Sequence, residues 1–208
     1  MATPLPIPGL VLAGGASRRM GSDKAALRMQ GQPLVEQVAA RLARQTTPVW
    51  LNLPQGSTIG AAHSHVSDTV PDRPGPLAGI LAGLEAMEIR QPDASHLLTI
   101  PVDTPFFPDD LVRRLYEEAE LEDIVVASSH DRLHPVVALW PATLKDDLAD
   151  WLSPPHNRRV FDFINRHRYK AVHFDKMATS LGPIDPFFNI NTPADLEQAN
   201  RLTGVLWT

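Results

Sequence analysis

A short apolar segment that ends in two glycines constrains the fold of this chain more than any other feature. Residues 9–12 are apolar, as is typical of a strand in a parallel sheet covered by helices. Gly14 and Gly15 follow, and a loop without side chains lets backbone N–H groups approach an anion closely. Three cations come next: Arg18, Arg19 and Lys24. The segment therefore predicts a strand followed by a loop that holds a triphosphate.

The spacing of this loop differs from the two common nucleotide-binding motifs. No Gly-Lys-Ser/Thr follows a glycine at the distance a P-loop requires, and the Gly-x-Gly-x-x-Gly turn of dinucleotide-binding proteins is absent. The alternative interpretation is an ordinary strand-to-helix turn with solvated arginines. We favour the phosphate site because three cations lie so close to two glycines.

The composition indicates one globular domain. The 208 residues are 43% hydrophobic and 21% charged, so we expect a single domain over residues 1–208, with residues 1–8 as a loose, proline-rich extension. The net charge of -5 argues against partners such as nucleic acid or an anionic membrane. The lack of cysteine excludes disulfides, thiolate metal ligands and thiol nucleophiles. Without a signal-peptide pattern or a transmembrane run, we expect a cytoplasmic protein.

Strand and helix patterns alternate along the chain. Apolar runs bounded by turn residues predict strands at 9–12, 48–53, 65–67, 95–100, 123–127, 135–140 and 170–174. Helical spacing predicts helices at 33–44, 77–87, 108–118, 142–152 and 158–165, and a closing helix that Thr192 caps. This alternation predicts an α/β fold.

Asp103 is a candidate for a carboxylate that contacts a ligand. It follows the apolar segment 95–100, and Pro105 ends that strand because proline has no N–H for a sheet ladder. Ligands of open α/β sheets bind at the carboxyl ends of strands, which favours a functional carboxylate here. The alternative is a turn residue that accepts backbone N–H bonds.

Residues 12–24 resemble the signature of nucleotidyltransferases of the nucleotide-diphospho-sugar transferase fold. Within that fold the segment is most similar to the MobA-like nucleotidyltransferase family. The resemblance continues in the family's order through residues 73–79, 101–106, 134–135 and 189–193, so it covers nearly the whole chain. It implies a Rossmann-like three-layer sandwich with a mostly parallel central sheet.

The resemblance also implies a reaction. The terminal phosphate of molybdopterin attacks the α-phosphorus of GTP, which yields the guanine dinucleotide form of the molybdenum cofactor and pyrophosphate. The family uses Mg²⁺, and the resemblance assigns this ion to Asp103. It also implies nucleotide contacts at Leu12, Ala13, Gly14, Lys24, Asn52 and Asp72, to which we add Gly15, Gly79 and Asp103. Docking to molybdoenzymes or other cofactor-assembly proteins is a further implication, and we expect a monomer.

In-line attack at phosphorus needs alignment and charge neutralisation more than a protein nucleophile. With the Asp103 metal site, Lys24 and Arg19 are therefore the catalytic candidates, because they would stabilise charge on the leaving pyrophosphate. The role of Arg18 stays open. The missing Cβ of Gly14 leaves room for a purine, and Gly15 lets the backbone turn toward phosphate.

Asn189, Asn191 and His134 are the candidates for the acceptor side. The asparagines precede the last helix, where the family places contacts to the pterin or the metal, and polar turn residues that prepare a helix cap are the alternative. His134 is expected to line the substrate groove. Two other functions stay open: a related transferase that uses CTP or UTP with molybdopterin or a sugar phosphate, and a non-catalytic GTP-binding module that delivers the cofactor.

Overall fold

A central sheet organises the chain. The computed structural model describes residues 3–14, 26–70, 75–153 and 159–206. The strands are β1 (Gly9–Leu12), β2 (Arg28–Met29), β3 (Gln32–Pro33), β4 (Val49–Asn52), β5 (Ser64–Val66), β6 (His96–Pro101), β7 (Ile124–Ser129), β8 (Arg132–Pro141) and β9 (Tyr169–His173). The helices are α1 (Leu34–Leu42), α2 (Pro76–Arg90), α3 (Leu111–Glu117), α4 (Lys145–Leu152), α5 (Val160–Ile164) and α6 (Pro193–Leu206), with a 3-10 turn at Ala142–Leu144.

Seven of these strands form one sheet in the order β5-β4-β1-β6-β8-β7-β9. Neighbouring strands are parallel except that β8 runs antiparallel to both β6 and β7. Strands β2 and β3 form a separate hairpin. Because β8 runs the other way, its first residues lie at the edge where the parallel strands end. The prediction of a mostly parallel α/β sheet is confirmed.

Helices cover both faces of this sheet. Successive side chains of a strand point to opposite faces, so Leu10 and Val11 of β1 belong to two different apolar clusters. Val11 lies in the cluster that contains residues of α1, α3 and α6. Leu10 lies in the cluster that contains residues of α2, α4 and α5. Both side chains are fully buried, and the arrangement is the three-layer sandwich that the resemblance implies.

Thr192 starts the last helix as predicted. Its Oγ1 accepts the N–H of Asp195 at 3.2 Å, and the Asp195 carboxylate accepts the N–H of Thr192 at 2.8 Å. This reciprocal pair satisfies N–H groups that a helix start leaves without intrahelical partners. The same carboxylate accepts the N–H of Asn191 at 2.9 Å, so Asn191 takes part in the helix start.

The first described residues are not a loose extension. Leu5 donates its N–H to the carbonyl of Gln45 at 2.9 Å and accepts the N–H of Thr47 at 3.0 Å. The side chain of Ile7 is 4% exposed. Backbone pairing and apolar burial hold this segment in place, so the prediction of a loose extension is wrong for residues 3–8.

Strand β8 begins earlier than its sequence predicts. We expected it to begin at Pro135, but it begins at Arg132, directly after a turn at His130 and Asp131. These two residues have φ of 47° and 54°, the left-handed values that a tight hairpin turn requires. A register shift in the β7–β8 pairing leaves residues 135–137 without partners in β7, which accommodates the proline.

Candidate active site

A cavity of about 520 Å³ lies at the edge where the parallel strands end. Residues near the ends of β1, β4 and β5 form what we term its β4 end: Leu12, Ala13, Gly14, Asn52 and Asp68. Residues 101–104 line its middle, and Gly75 and Pro76 at the start of α2 also contribute. Residues 132–137 and Asn189 form the opposite side, which we term its β8 end. The cavity therefore follows the sheet edge across five strands.

Hydrogen bonds on both sides of β1 place the backbone at the β4 end. The N–H of Ala13 donates to the carbonyl of Asn52 at 3.1 Å, and the carbonyl of Leu12 accepts the N–H of Val102 at 3.0 Å. Sheet pairing thus continues up to the residue before Gly14. A residue without a side chain follows at the cavity wall, where a ligand can approach the backbone closely.

Asn52 is held in one orientation by the last residue of β5 and by a residue just beyond that strand. It is 4% exposed, and its Nδ2 donates to the carbonyl of Val66 at 3.2 Å and to Oδ1 of Asp68 at 2.7 Å. These bonds use both hydrogens of the amide. They also fix the direction of Oδ1, which lies beside Gly14 and Gly79.

Gly79, a residue of α2, lies against the side chain of Asn52. A Cβ at Gly79 would lie 2.5 Å from Oδ1 of Asn52 and 2.6 Å from Cδ2 of Leu12, which is far closer than atoms pack. The missing side chain therefore lets α2 approach the ends of β1 and β4. Gly79 was predicted to bind nucleotide, but it is not among the described residues that line the cavity.

Asp103 lies in the middle of the cavity lining, directly beyond β6. Its carbonyl accepts the N–H of Ile190 at 2.9 Å. The next residue, Thr104, donates from Oγ1 to Oδ1 of Asn189 at 2.6 Å. These bonds join two motifs that are far apart in the sequence, and they bring Asn189 to the cavity with a donor, Nδ2, as the other polar atom of its amide.

The surroundings of Asp103 fit a Mg²⁺ ion. Across the described ranges, no three His, Asp or Glu side chains come together as a metal site. Mg²⁺ in phosphoryl-transfer sites is held by one or two carboxylates, and it completes its octahedron with waters and substrate phosphates. A half-buried carboxylate at the cavity wall meets that requirement.

His134 lines the β8 end, as predicted for the substrate groove. It is 9% exposed, and its ring centroid lies 4.5 Å from that of Phe187. Its Nε2 lies 2.8 Å from Oγ of Ser129. Burial lowers the pKa of His134, the Asp185 carboxylate partly opposes this shift, and Arg132 adds to the lowering. The lowered pKa favours the neutral imidazole.

The structure gathers most of the predicted residues that it describes. The following line one cavity: Leu12, Ala13, Gly14, Asn52, Asp103, His134 and Asn189. Gly79 and Asn191 lie outside the described lining. Five further candidates lie outside the described residues, so their roles stay predictions: Gly15, Arg18, Arg19, Lys24 and Asp72.

The sequence analysis did not single out four residues of this region. Asp68 follows a predicted strand, so its place at the carboxyl edge was a usable signal. Arg132 lay hidden because the start of β8 was placed too late. Ser129 and Asp185 hydrogen-bond to each other at 2.9 Å, and no local pattern indicates a contact between residues so far apart in the chain.

The sheet, its order and the cavity at its carboxyl edge define an α/β protein with a ligand-sized cavity where ligands of open α/β sheets bind. A family model described as "MobA-like NTP transferase domain" matches residues 9–172. The chain belongs to this family, and it is therefore a nucleotidyltransferase.

Relatives of known name support this assignment. The chain is 44% identical over 208 residues to a molybdenum cofactor guanylyltransferase of Rhizobium rhizogenes, covering 99% of this chain and 96% of the relative. It is 46% identical over 197 residues to a protein of the same name from Sinorhizobium fredii, covering 93% and 90%. The fold is similar to that of the molybdopterin-guanine dinucleotide biosynthesis protein A of Archaeoglobus fulgidus, with a TM-score of 0.72, 22% identity and coverage of 95% and 99%.

No helix in the described part of the chain is long and apolar enough to cross a membrane.

Proposed function

We propose that this enzyme transfers GMP from GTP to the terminal phosphate of molybdopterin. An oxygen of the acceptor phosphate forms a bond to the α-phosphorus of GTP, the bond from that phosphorus to the bridging oxygen breaks, and pyrophosphate leaves. The products are the guanine dinucleotide cofactor and pyrophosphate. Similarity over almost the full length to enzymes named molybdenum cofactor guanylyltransferase carries the proposal.

We assign the nucleotide to the β4 end of the cavity. The backbone at Ala13 and Gly14 lies at the cavity wall, and the buried Asn52 beside it has a fixed orientation. A guanine base offers N–H groups and a carbonyl, which backbone and amide groups complement. Asp72 is proposed to accept from the N1–H and the exocyclic amine of guanine, a pair of donors that cytosine does not reproduce.

The phosphates then extend toward Asp103. Asp103 would hold Mg²⁺ here, and a bound Mg²⁺ would supply neutralisation of the phosphate charge. Arg19 and Lys24 are proposed to bind the leaving pyrophosphate, and Gly15 is proposed to let the backbone of the loop turn its N–H groups toward phosphate oxygens. Positioning and charge neutralisation account for the reaction without a covalent intermediate on the protein.

The acceptor is assigned to the β8 end. Arg132 is the cation among the described lining residues, so it is suited to an acceptor phosphate. Asn189 offers an amide donor beside Asp103, where acceptor and nucleotide meet.

We also propose that the enzyme works as a cytoplasmic, single-domain monomer that hands its product to molybdoenzymes or other cofactor-assembly proteins.

The test is a substrate matrix. The purified enzyme is incubated with Mg²⁺, one of the four nucleoside triphosphates, and either molybdopterin or a sugar phosphate, and both pyrophosphate and the dinucleotide product are measured. We expect product with GTP and molybdopterin together, and none when either is left out. Pyrophosphate release with CTP or UTP instead would identify a related transferase. GTP binding without turnover on any acceptor would identify a delivery module.

A further inference from the structure

A buried serine links an aspartate to the histidine at the β8 end. Oγ of Ser129 lies 2.9 Å and 3.0 Å from the two carboxylate oxygens of Asp185, and 2.8 Å from Nε2 of His134. Ser129 is fully buried. The N–H of Phe187 also donates to Oδ1 of Asp185 at 2.8 Å.

The number of hydrogens available to Asp185, Ser129 and His134 determines which nitrogen of His134 carries the proton. An ionised carboxylate only accepts, so the single hydroxyl hydrogen of Ser129 points to Asp185. The serine oxygen can then only accept from Nε2, which must carry the proton of the neutral imidazole. Nδ1 is left as an unprotonated acceptor, and it has no hydrogen-bond partner among the residues that the structure describes.

The surroundings keep this ring neutral and in place. Phe187 packs against it at an interplanar angle of 42°. Among the residues that the structure describes, the charged groups that act on the ring are Asp185, through Ser129, and Arg132, which disfavours a second positive charge nearby. Protonation would turn Nδ1 from an acceptor into a donor.

We propose that Asp185 and Ser129 are positioning residues that present the Nδ1 lone pair of His134 to an N–H donor of the acceptor's pterin ring. The proposal rests on the function proposed above. A lone pair repels a phosphate oxygen, whereas the amide and amine hydrogens of a pterin complement it. Arg132 at the same end suits the acceptor's phosphate. In this proposal His134 binds the pterin ring and Arg132 binds the phosphate of the same substrate.

The tautomer is tested without any substrate. In protein labelled with ¹⁵N-histidine, the signals of His134 are those that disappear in His134→Gln. We expect the neutral Nε2–H tautomer at pH 7.5 in the wild type, and a mixture of tautomers in Ser129→Ala and Asp185→Asn. A neutral Nδ1–H tautomer or an imidazolium in the wild type would overturn the proposal. This measurement stands even if molybdopterin is not the acceptor.

Kinetics test the substrate contact. His134→Gln keeps a donor near Ser129 but removes the Nδ1 acceptor, so KM for molybdopterin should rise about tenfold while KM for GTP stays unchanged. Ser129→Ala, which leaves the imidazole in place, should raise KM for molybdopterin less and leave kcat at saturation unchanged. Equal changes in both KM values, or none, would reject the contact. If the wild type shows no turnover with GTP and molybdopterin, the proposed function is rejected instead.

Discussion

Asn52 ends β4 and Asp68 lies two residues beyond the parallel neighbour β5, and a hydrogen bond of 2.7 Å from Nδ2 of Asn52 to Oδ1 of Asp68 joins them. The carbonyl of Val66 accepts the other hydrogen of the Asn52 amide. Val66 and the carboxylate of Asp68 together fix the orientation of the buried Asn52 side chain, which lines the cavity. A residue that the sequence analysis overlooked thus controls one that it selected.

Replacing Asp68 should therefore weaken GTP use. Loss of a charge-assisted hydrogen bond is worth roughly 1.5–3 kcal/mol, and we expect Asp68→Ala to raise KM for GTP by about tenfold. KM for molybdopterin should not change. Asp93→Ala, at an exposed turn after α2, is the control and should behave as the wild type. Steady-state kinetics with an unchanged KM for GTP in Asp68→Ala would contradict this role.

Alanine substitutions at two glycines of α2 would distinguish an effect on packing from an effect on ligand binding. A Cβ at Gly83 would lie 2.6 Å from Cδ2 of Leu10 and of Leu97, as tight as the contacts predicted at Gly79. Overpacking of this kind costs about 1–3 kcal/mol, so both alanine variants should lower the free energy of unfolding in urea. Only Gly79→Ala displaces Asn52, and only it should also raise KM for GTP. Equal KM values in the two variants would show that Gly79 serves packing alone.

Gly14→Ala tests the space beside the base. The new Cβ would lie 3.3 Å from Oδ1 of Asn52, a tight contact that a small shift relieves, so the free energy of unfolding should change by less than about 1 kcal/mol. We expect kcat/KM for GTP to fall about tenfold while that for CTP does not fall, because the purine loses room. Unchanged rates with both nucleotides would remove this explanation of base choice.

Asp103→Asn should separate binding from turnover. Its backbone carbonyl is held by Ile190, so the substitution should leave the fold intact while it removes the charge proposed to hold Mg²⁺. We expect kcat to fall at least about 100-fold, with the Kd for GTP changed by much less. Asp175→Asn, at a side chain that is 97% exposed, is the control. Normal turnover with Mg²⁺ would exclude Asp103 as the ligand.

His96 should make the fold sensitive to acid. Burial lowers its pKa, and a hydrogen bond to the Glu120 carbonyl only partly opposes this shift. Below about pH 6.5 the unfolded chain takes up a proton that folded His96 resists, so the free energy of unfolding should decrease as pH falls. In urea titrations at pH 7.5 and 5.5, this decrease should be smaller for His96→Gln than for the wild type. An equal decrease would show that other groups cause it.

Local patterns predicted the elements well but the contacts between them only in part. Apolar runs, prolines and the Thr192 cap are local features, and they placed the strands, the helices and Asp103 close to where they lie. The Asn52–Asp68 bond depends on the register of β4 against β5, which pairs Asn52 with Val66. Likewise, Ser129 and Asp185 are in contact although β8, α4, α5 and β9 separate them in the sequence. Contacts of this kind follow from the sheet order, which no short segment specifies.

The reversed direction of β8 makes the two ends of the cavity separable. The β4 end belongs to parallel strands that need long crossovers, whereas the β8 end begins at a hairpin of only two turn residues, His130 and Asp131. Inserting residues into that hairpin would reshape the β8 end, which we propose binds the acceptor, without moving β1, β4 or β5. Under this assignment, one nucleotide site can be combined with different acceptors through changes in a single turn.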